Sequence, residues 1–465
     1  MLVRSGADKS LRRWTIATVH WRLAWVGLLC DPQVPRERAV LAFEHVNVIP
    51  TDREQVLFDH TVIVRSEKFM AVGPAASLEV PAGAVRVSAP GAYLAPGLAD
   101  MHAHPYDTDG LPSYLVHGVT TIGVMHGSPS VLDWRRRIRA RALVGPTIYA
   151  AGPSVDGYPP ANPLFVSVET EAQARAVIRE QKRAGYDFIK IYSILNLREY
   201  DAILDEGKRQ PIPVWGHIPW RVGMTRILAA GQSNVAHVEE FFTVGIQDAQ
   251  FEEVVRLAQA GHTTVTASLF AYAHMLESIA DLPSDLADSE MRYHSPAGLS
   301  EKLPATNRAI RRDPQSFVEL LTGRQPRMRR FLKMLHDGGI LVLAGTDTET
   351  FGFPGTSLLG ELAELRKGGF TNYAIMQAAT RNAGEAVAVG APTSERFGTV
   401  SPGNRADLIL LDSNPLEDLA NLCKIRGVMT GGRWLPISEI NHLRDSIAAR
   451  NRDVHPFVGA STASS

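Results

Sequence analysis

The sequence predicts an α/β fold: a distorted (β/α)8 TIM barrel with a small composite β-sandwich built from both chain ends. Three observations lead there. Eight short apolar runs alternate with helical patterns through the middle of the 465-residue chain. Strand-like segments broken by turns flank that middle on both sides. The chain also exceeds the size at which a single core keeps growing, so one large unit and a smaller one are expected.

Residues 1–38 stand apart from this plan. "KSLRRW" followed by "TIATVHWRLAWVGLLC" reads as a basic stretch and an apolar stretch of an export signal. His20 and Arg22 interrupt the apolar run, which is too short and too polar to span a membrane. The "GLL" before Cys30 is a poor lipoprotein-type cleavage site. A degraded signal and a cytoplasmic arm both fit, which leaves a cytoplasmic and an exported (periplasmic or secreted) location open.

Residues 39–96 follow as short strands: "AVLAFEHVNVI", "TVIVRSEKFMAVG" and "AVRVSAPGAYLAPG". The same texture returns in "GTVSPGNRADLILLD" and "IRGVMTGGRWL". Residues 39–96 and 390–440 are therefore expected to share one β-sandwich, and residues 441–465 to form a C-terminal tail. Residues 97–389 carry the alternation. The expected strands are "GLADMHAH", "GVTTIGVM", "PTIYAAG", "DFIKIYS", "IPVWGHIP", "NVAHVEE", "TTVTASL" and "ILVLAGTD". Helical patterns such as "ETEAQARAVIREQKRAG", "REYDAILDEGKR" and "FEEVVRLAQAG" fill most intervals. Several end in glycine, a usual helix stop. Eight such units predict a parallel barrel.

Composition narrows the function. Apolar residues at 45% and charged residues at 21% are ordinary for a globular protein. With a net charge of −1 and no basic block, nucleic acid is excluded as a partner. Cys30 and Cys423 make neither a disulfide framework nor a CxxC site, so any metal centre must use other ligands.

In a barrel of this kind chemistry sits where the strands end. Strand one ends in His102 and His104, which point the same way because they are two apart. Asp100 shares that face one step deeper. Strand four carries Lys190, strand five ends in His217, strand six carries His237 and strand eight ends in Asp347. An isolated HxH pair could arise by chance among fifteen histidines, and a lone strand-end histidine commonly caps or packs. The joint pattern is different: these nitrogen and oxygen ligands suit zinc or a related divalent ion. His117, His126, His262 and His336 fall elsewhere.

Lys190 is unusual, because lysine is almost never buried unpaired. Burial favours the neutral amine. That amine can add carbon dioxide to give a carbamate, an anionic ligand able to bridge two metal ions. The competing reading is an ion pair with Asp100 or Glu239.

"LAPGLADMHAH", "GVTTI", "GYDFIKIYS", "GHIP", "AHVEEF", "LAGTDTE" and "GTVSPGNRADLILLDSNPLED" together resemble the amidohydrolase superfamily, within it the metal-dependent prolidase and imidazolonepropionase-like branch. The resemblance runs from about residue 40 to 437. It implies a binuclear centre, usually zinc. By carry-over His102, His104 and Asp347 hold the more buried ion, His217 and His237 the other, and carboxylated Lys190 bridges them. Many relatives carry an Arg-Asp pair after "GVTTI"; here Gly123, Val124, Met125 and His126 follow.

The expected chemistry is hydrolysis of amide-type C–N bonds in dipeptides or N-acyl amino acids by a metal-bridging hydroxide, with Asp347 passing the proton to the leaving nitrogen. The formal positive surplus of such a centre suits a small-molecule substrate with a carboxylate. Cyclic-amide or imidazolone-type hydrolysis, lactonase or esterase chemistry, and a non-catalytic scaffold are the alternatives. Tyr192, two residues beyond Lys190, and His126, after strand two, are candidate substrate contacts. So are Tyr293 and His294, in the long stretch 269–340 between strands seven and eight, read as helices and a flap. Homo-oligomerisation is left open.

Overall fold

The computed structural model describes residues 40–280, 314–348, 352–389 and 395–452. Strands from both chain ends join one eight-stranded sheet. Its order is Arg433–Pro436, Ile425–Thr430, Leu408–Leu411, Tyr93–Pro96, Val40–Val48, Leu57–Arg65 and Lys68–Pro74, with Val85–Ser88 also paired to Val40–Val48. The seam between the ends is the antiparallel pair Tyr93–Pro96 and Leu408–Leu411, where Leu94 faces Leu410. Alternation along the strands sends Phe43, Val46, Val48, Val62 and Val64 into a core that also takes Leu94, Leu408, Leu410 and Met429. The Phe43 ring meets Trp434 edge-on, centroids 4.9 Å apart.

The middle of the chain supplies eight parallel strands in the expected order. Strands one to three, Leu98–Ala103, Val119–Val124 and Thr147–Ala150, pair in one sheet. Strands four to eight, Ile189–Ile191, Val214–Gly216, Asn234–Val235, Thr264–Thr266 and Val342–Leu343, pair successively in another. Two short strands unexpected from the sequence, Val155–Asp156 and Val166–Ser167, follow strand three and extend this second sheet. Isolated parallel bridges join the two sheets, Ala151 to Phe188 on one side and Ala103 to Thr348 on the other. Backbone bonds reinforce both junctions: Asp187 N–H donates to Ala150 O at 2.8 Å, and Met101 N–H to Ala344 O at 2.9 Å.

Strands buried on both faces read as continuous apolar runs, which is why periodicity alone could not have set their direction. The helices announce themselves locally. Glu171–Ala184 begins at a capping box between Thr170 and Gln173 and stops at Gly185, whose φ of 93° is left-handed. Leu197–Arg209 begins at the equivalent box between Asn196 and Glu199.

Helices Leu269–Ala280 and Pro314–Asp337 occupy the described parts of the long connection before strand eight. Tyr293 and His294 lie outside the described residues. At the chain's far end, a helix spans Ile437–Arg452 in the segment expected to begin the tail. It buries Ile440 and Ile447, and Arg444 donates to Val116 O at 2.8 Å. No helix among the described residues is long and apolar enough to cross a membrane.

Candidate metal centre

The strand ends bring the expected ligands together. His102 and His104 project from the end of strand one toward Asp347, their Nε2 atoms 3.4 and 3.1 Å from its Oδ1. Asp347 follows strand eight with φ 57°, in the left-handed region. Its N–H donates to His102 O at 2.8 Å, which fixes the turn that aims the carboxylate inward. His237, after strand six, lies against His102 with ring centroids 4.2 Å apart. Ligand atoms of His102, His237 and Asp347 all fall within 4.8 Å of one another, close enough to hold a single ion. His217 joins from strand five, its ring 5.3 Å from that of His237.

Burial sets the charge states. It drives His102 and His217 well below the ordinary histidine value and His237 down to about 3. Neutral imidazoles are the form that binds metal. For Asp347 burial acts upward, but the hydrogen bond to His104 and the nearby basic groups outweigh it and hold the carboxyl below its usual value. His102, His217 and His237 are therefore neutral beside an ionised Asp347.

Lys190 is 2% exposed, and its Nζ has no hydrogen-bond partner. Burial lowers its pKa to about 8. Neither carboxylate considered from the sequence is its partner. Asp100 accepts from Thr346 Oγ1 at 2.5 Å, from Thr346 N–H at 3.0 Å and from His102 N–H at 3.1 Å, tying strand one to strand eight. Glu239 is taken by Arg324 at 2.7 Å, by Tyr272 at 3.2 Å and by Thr243. The Nδ1 of His237 is likewise buried without a partner. Two orphaned nitrogens close enough to act on each other electrostatically are what a ligand set without its ion leaves behind, and the residues present fit a divalent metal.

Sequence reasoning missed the outer supports. Glu240, the second glutamate of "HVEE", places Oε1 2.9 Å from His217 Nδ1 and accepts from Ile218 N–H at 2.8 Å. A His217 that donates from Nδ1 to this carboxylate presents the lone pair of Nε2 to the centre. Ser193 Oγ lies 3.1 Å from the same Nδ1. The only signal for Glu240 was its spacing, three residues after His237. Of the substrate candidates, Tyr192 lies against His217, the rings tilted by 31° with centroids 3.8 Å apart. His126 packs against Phe165 and Ser154, and burial draws its pKa down to about 4. A cavity of about 290 Å³ bordered by Arg139, Val144, Ile148 and Arg405 shares no residue with this set.

Imidazoles and one carboxylate gathered at the ends of parallel strands, alternating with helices, suit an enzyme class: hydrolases. Within it, the chain belongs to the amidohydrolase family, whose model matches residues 93–435. Its fold is similar to that of bottromycin amidohydrolase, with a TM-score of 0.72 and 23% identity over 90% of this chain and 91% of that one. A putative prolidase from Bifidobacterium longum gives 0.65 and 22%, over 88% and 99% of the two chains. A Xaa-Pro dipeptidase with methionine bound in its active site gives 0.66 and 17%, over 86% and 100%. At these identities the likeness concerns the fold. No curated protein matches the chain.

Proposed function

We propose that this protein is a metal-dependent hydrolase of amide-type C–N bonds, acting on dipeptides or N-acyl amino acids. The observation that carries the reading is Lys190: a buried amine without a partner, set among four imidazoles and a carboxylate. Its amine would add carbon dioxide, forming an N–C bond and releasing one proton. The carbamate would bridge two divalent ions, zinc in the first instance, with His102, His104 and Asp347 holding one and His217 and His237 the other. Bound there, the ions supply a Lewis acid that polarises the carbonyl and acidifies water.

The chain's own groups do the rest. Asp347, held ionised, takes up a proton on a carboxylate oxygen and returns it to the leaving nitrogen. Glu240 holds the His217 ring. Tyr192 and His126 line the approach as substrate contacts, as do Tyr293 and His294 in the reading made from sequence.

The architecture proposed with this function is a closed (β/α)8 barrel over residues 97–389, supported by the bridges Ala151–Phe188 and Ala103–Thr348. Residues 39–96 and 390–440 form the sandwich. The strands of Phe43 and Trp434 stand four places apart in the sheet order, which is roughly 19 Å in a flat sheet at ~4.8 Å per strand. Their contact at 4.9 Å supports a sheet that folds back on itself.

The test is a chelator-stripped sample, reloaded with zinc and assayed on dipeptides, N-acyl amino acids, lactones and carbamates, with metal counted per chain. Hydrolysis that disappears and returns, strongest on amides, with two ions bound, is expected. Full activity without metal, or cleavage of lactones alone, overturns the reading.

A further inference from the structure

We propose that Phe165 and His126 form a substrate subsite beside the metal centre: Phe165 receives an aromatic or large apolar side chain of the amide, and His126 donates its Nε2–H to a substrate oxygen. The substrate class follows: amides carrying an aromatic or bulky aliphatic residue next to the scissile bond. This rests on the hydrolase reading for the reaction, but not for the geometry of the subsite.

The proton on His126 is placed by its neighbours. Ser154 N–H lies 3.3 Å from His126 Nδ1, and a backbone N–H can only donate. Nδ1 is therefore an acceptor; the Ser154 hydroxyl, 3.1 Å away, can donate to it as well. A neutral imidazole that accepts at Nδ1 carries its hydrogen on Nε2. No described residue accepts that hydrogen. The ring is thus a fixed neutral donor with its polar end uncommitted.

Phe165 connects this donor to the metal ligands through packed rings. Its centroid is 5.4 Å from His126 and 4.6 Å from Tyr192, and Tyr192 in turn covers His217. The wall carries no charged side chain among these residues, so it suits an apolar group. The loop that bears Phe165 also exposes Leu164 at 74% and Tyr158 at 64%, and Trp220 beyond His217 is 58% exposed. Large apolar side chains left in water gain by being covered.

The loop is also held in place. Asp156 accepts backbone N–H groups from Gly157 at 2.9 Å, Ala161 at 2.8 Å and Ile194 at 2.7 Å. Val166 N–H donates to Ser154 O at 2.8 Å, which couples the position of Phe165 to the residue that orients His126. A subsite fixed before binding orders little on association.

The test pairs N-acetyl-phenylalanine with N-acetyl-alanine, using metal-loaded protein. Phe165→Ala is expected to lower kcat/KM for the phenylalanine compound roughly 10- to 200-fold more than for the alanine compound. His126→Phe keeps the ring and removes the donor; kcat should fall on the order of 100-fold or more with KM little changed. His126→Gln, which restores an N–H, should recover most of that loss. Independently of turnover, nitrogen NMR of histidine-labelled protein should show His126 protonated on Nε2 and bare on Nδ1. An equal loss on both substrates for Phe165→Ala, equal rates for the two His126 variants, or an Nδ1–H tautomer would overturn the proposal. Should the unaltered protein cleave neither compound nor any dipeptide, the hydrolase reading fails. The subsite is then judged by the tautomer and by whether the phenylalanine compound binds at least tenfold tighter than the alanine one.

Discussion

Replacing Glu361 with glutamine should remove a pH dependence from the stability of this protein. Glu361 is fully buried, and its Oε2 accepts Phe270 N–H at 2.7 Å at the start of the helix Leu269–Ala280. Its Oε1 has no partner. Burial raises its pKa from 4.5 to about 8, against the smaller opposing effect of the backbone donors. Between those values the unfolded chain gives up the proton while the folded chain keeps it, so stability falls as pH rises and the loss is complete above about 8. At about 1.4 kcal/mol per pH unit, the difference amounts to on the order of 5 kcal/mol. Glutamine keeps an acceptor for Phe270 N–H and cannot ionise. Urea unfolding of the metal-loaded protein at pH 5, 6, 7 and 8 should therefore give midpoints that drop steeply for the native sequence and much less for Glu361→Gln, the curves meeting near pH 4.5. Parallel curves would refute the reasoning. The site has a stake in the outcome, because the helix that Glu361 caps also carries Tyr272, whose hydroxyl holds Glu239 two residues from His237.

Three further expectations concern the centre itself. Lys190→Met should abolish the bridging ligand, lowering hydrolysis by on the order of 1000-fold, while the metal-stripped protein melts no lower than the unaltered one, since an unpaired buried amine has been replaced by an apolar chain of similar shape. Asp347→Asn should cost roughly 100-fold or more in kcat with the circular dichroism unchanged; a rate retained within about tenfold with metal bound would remove Asp347 from proton transfer. Glu240→Ala should weaken metal affinity roughly 10- to 100-fold, read by chelator competition, and Glu240→Gln less, because the one amide oxygen of glutamine can replace Oε1 at His217 or Oε2 at Ile218 N–H but not both.

What the sequence disclosed and what it hid follow from how far each residue's constraints reach. His102 and His104 were legible because a strand has period two, and Asp347 because it closes a short apolar run. The helix boundaries at Thr170 and Asn196 were legible because caps are local chemistry. Glu240 was not, because its role is defined by a histidine 23 positions earlier in the chain. Asp100 illustrates the same limit from the other side. Its place on the inward face was correctly read, but only the fold shows it given over to Thr346, 246 residues away, which leaves Lys190 alone.

That division bears on why a lysine can be kept in strand four at all. A buried amine without a counter-ion works against folding unless something else takes it up. The surroundings offer the amine no hydrogen-bonded anion: Asp100 is bonded to Thr346, Glu239 to Arg324, Glu240 to the His217 side. Each nearby carboxylate except Asp347 has a stronger claim elsewhere, and Asp347 faces His102 and His104. A structural ion pair would have freed one of them. The arrangement instead lowers the amine to a pKa of about 8 and leaves it without a hydrogen-bond partner, so that a neutral fraction is available for the carboxylation proposed above.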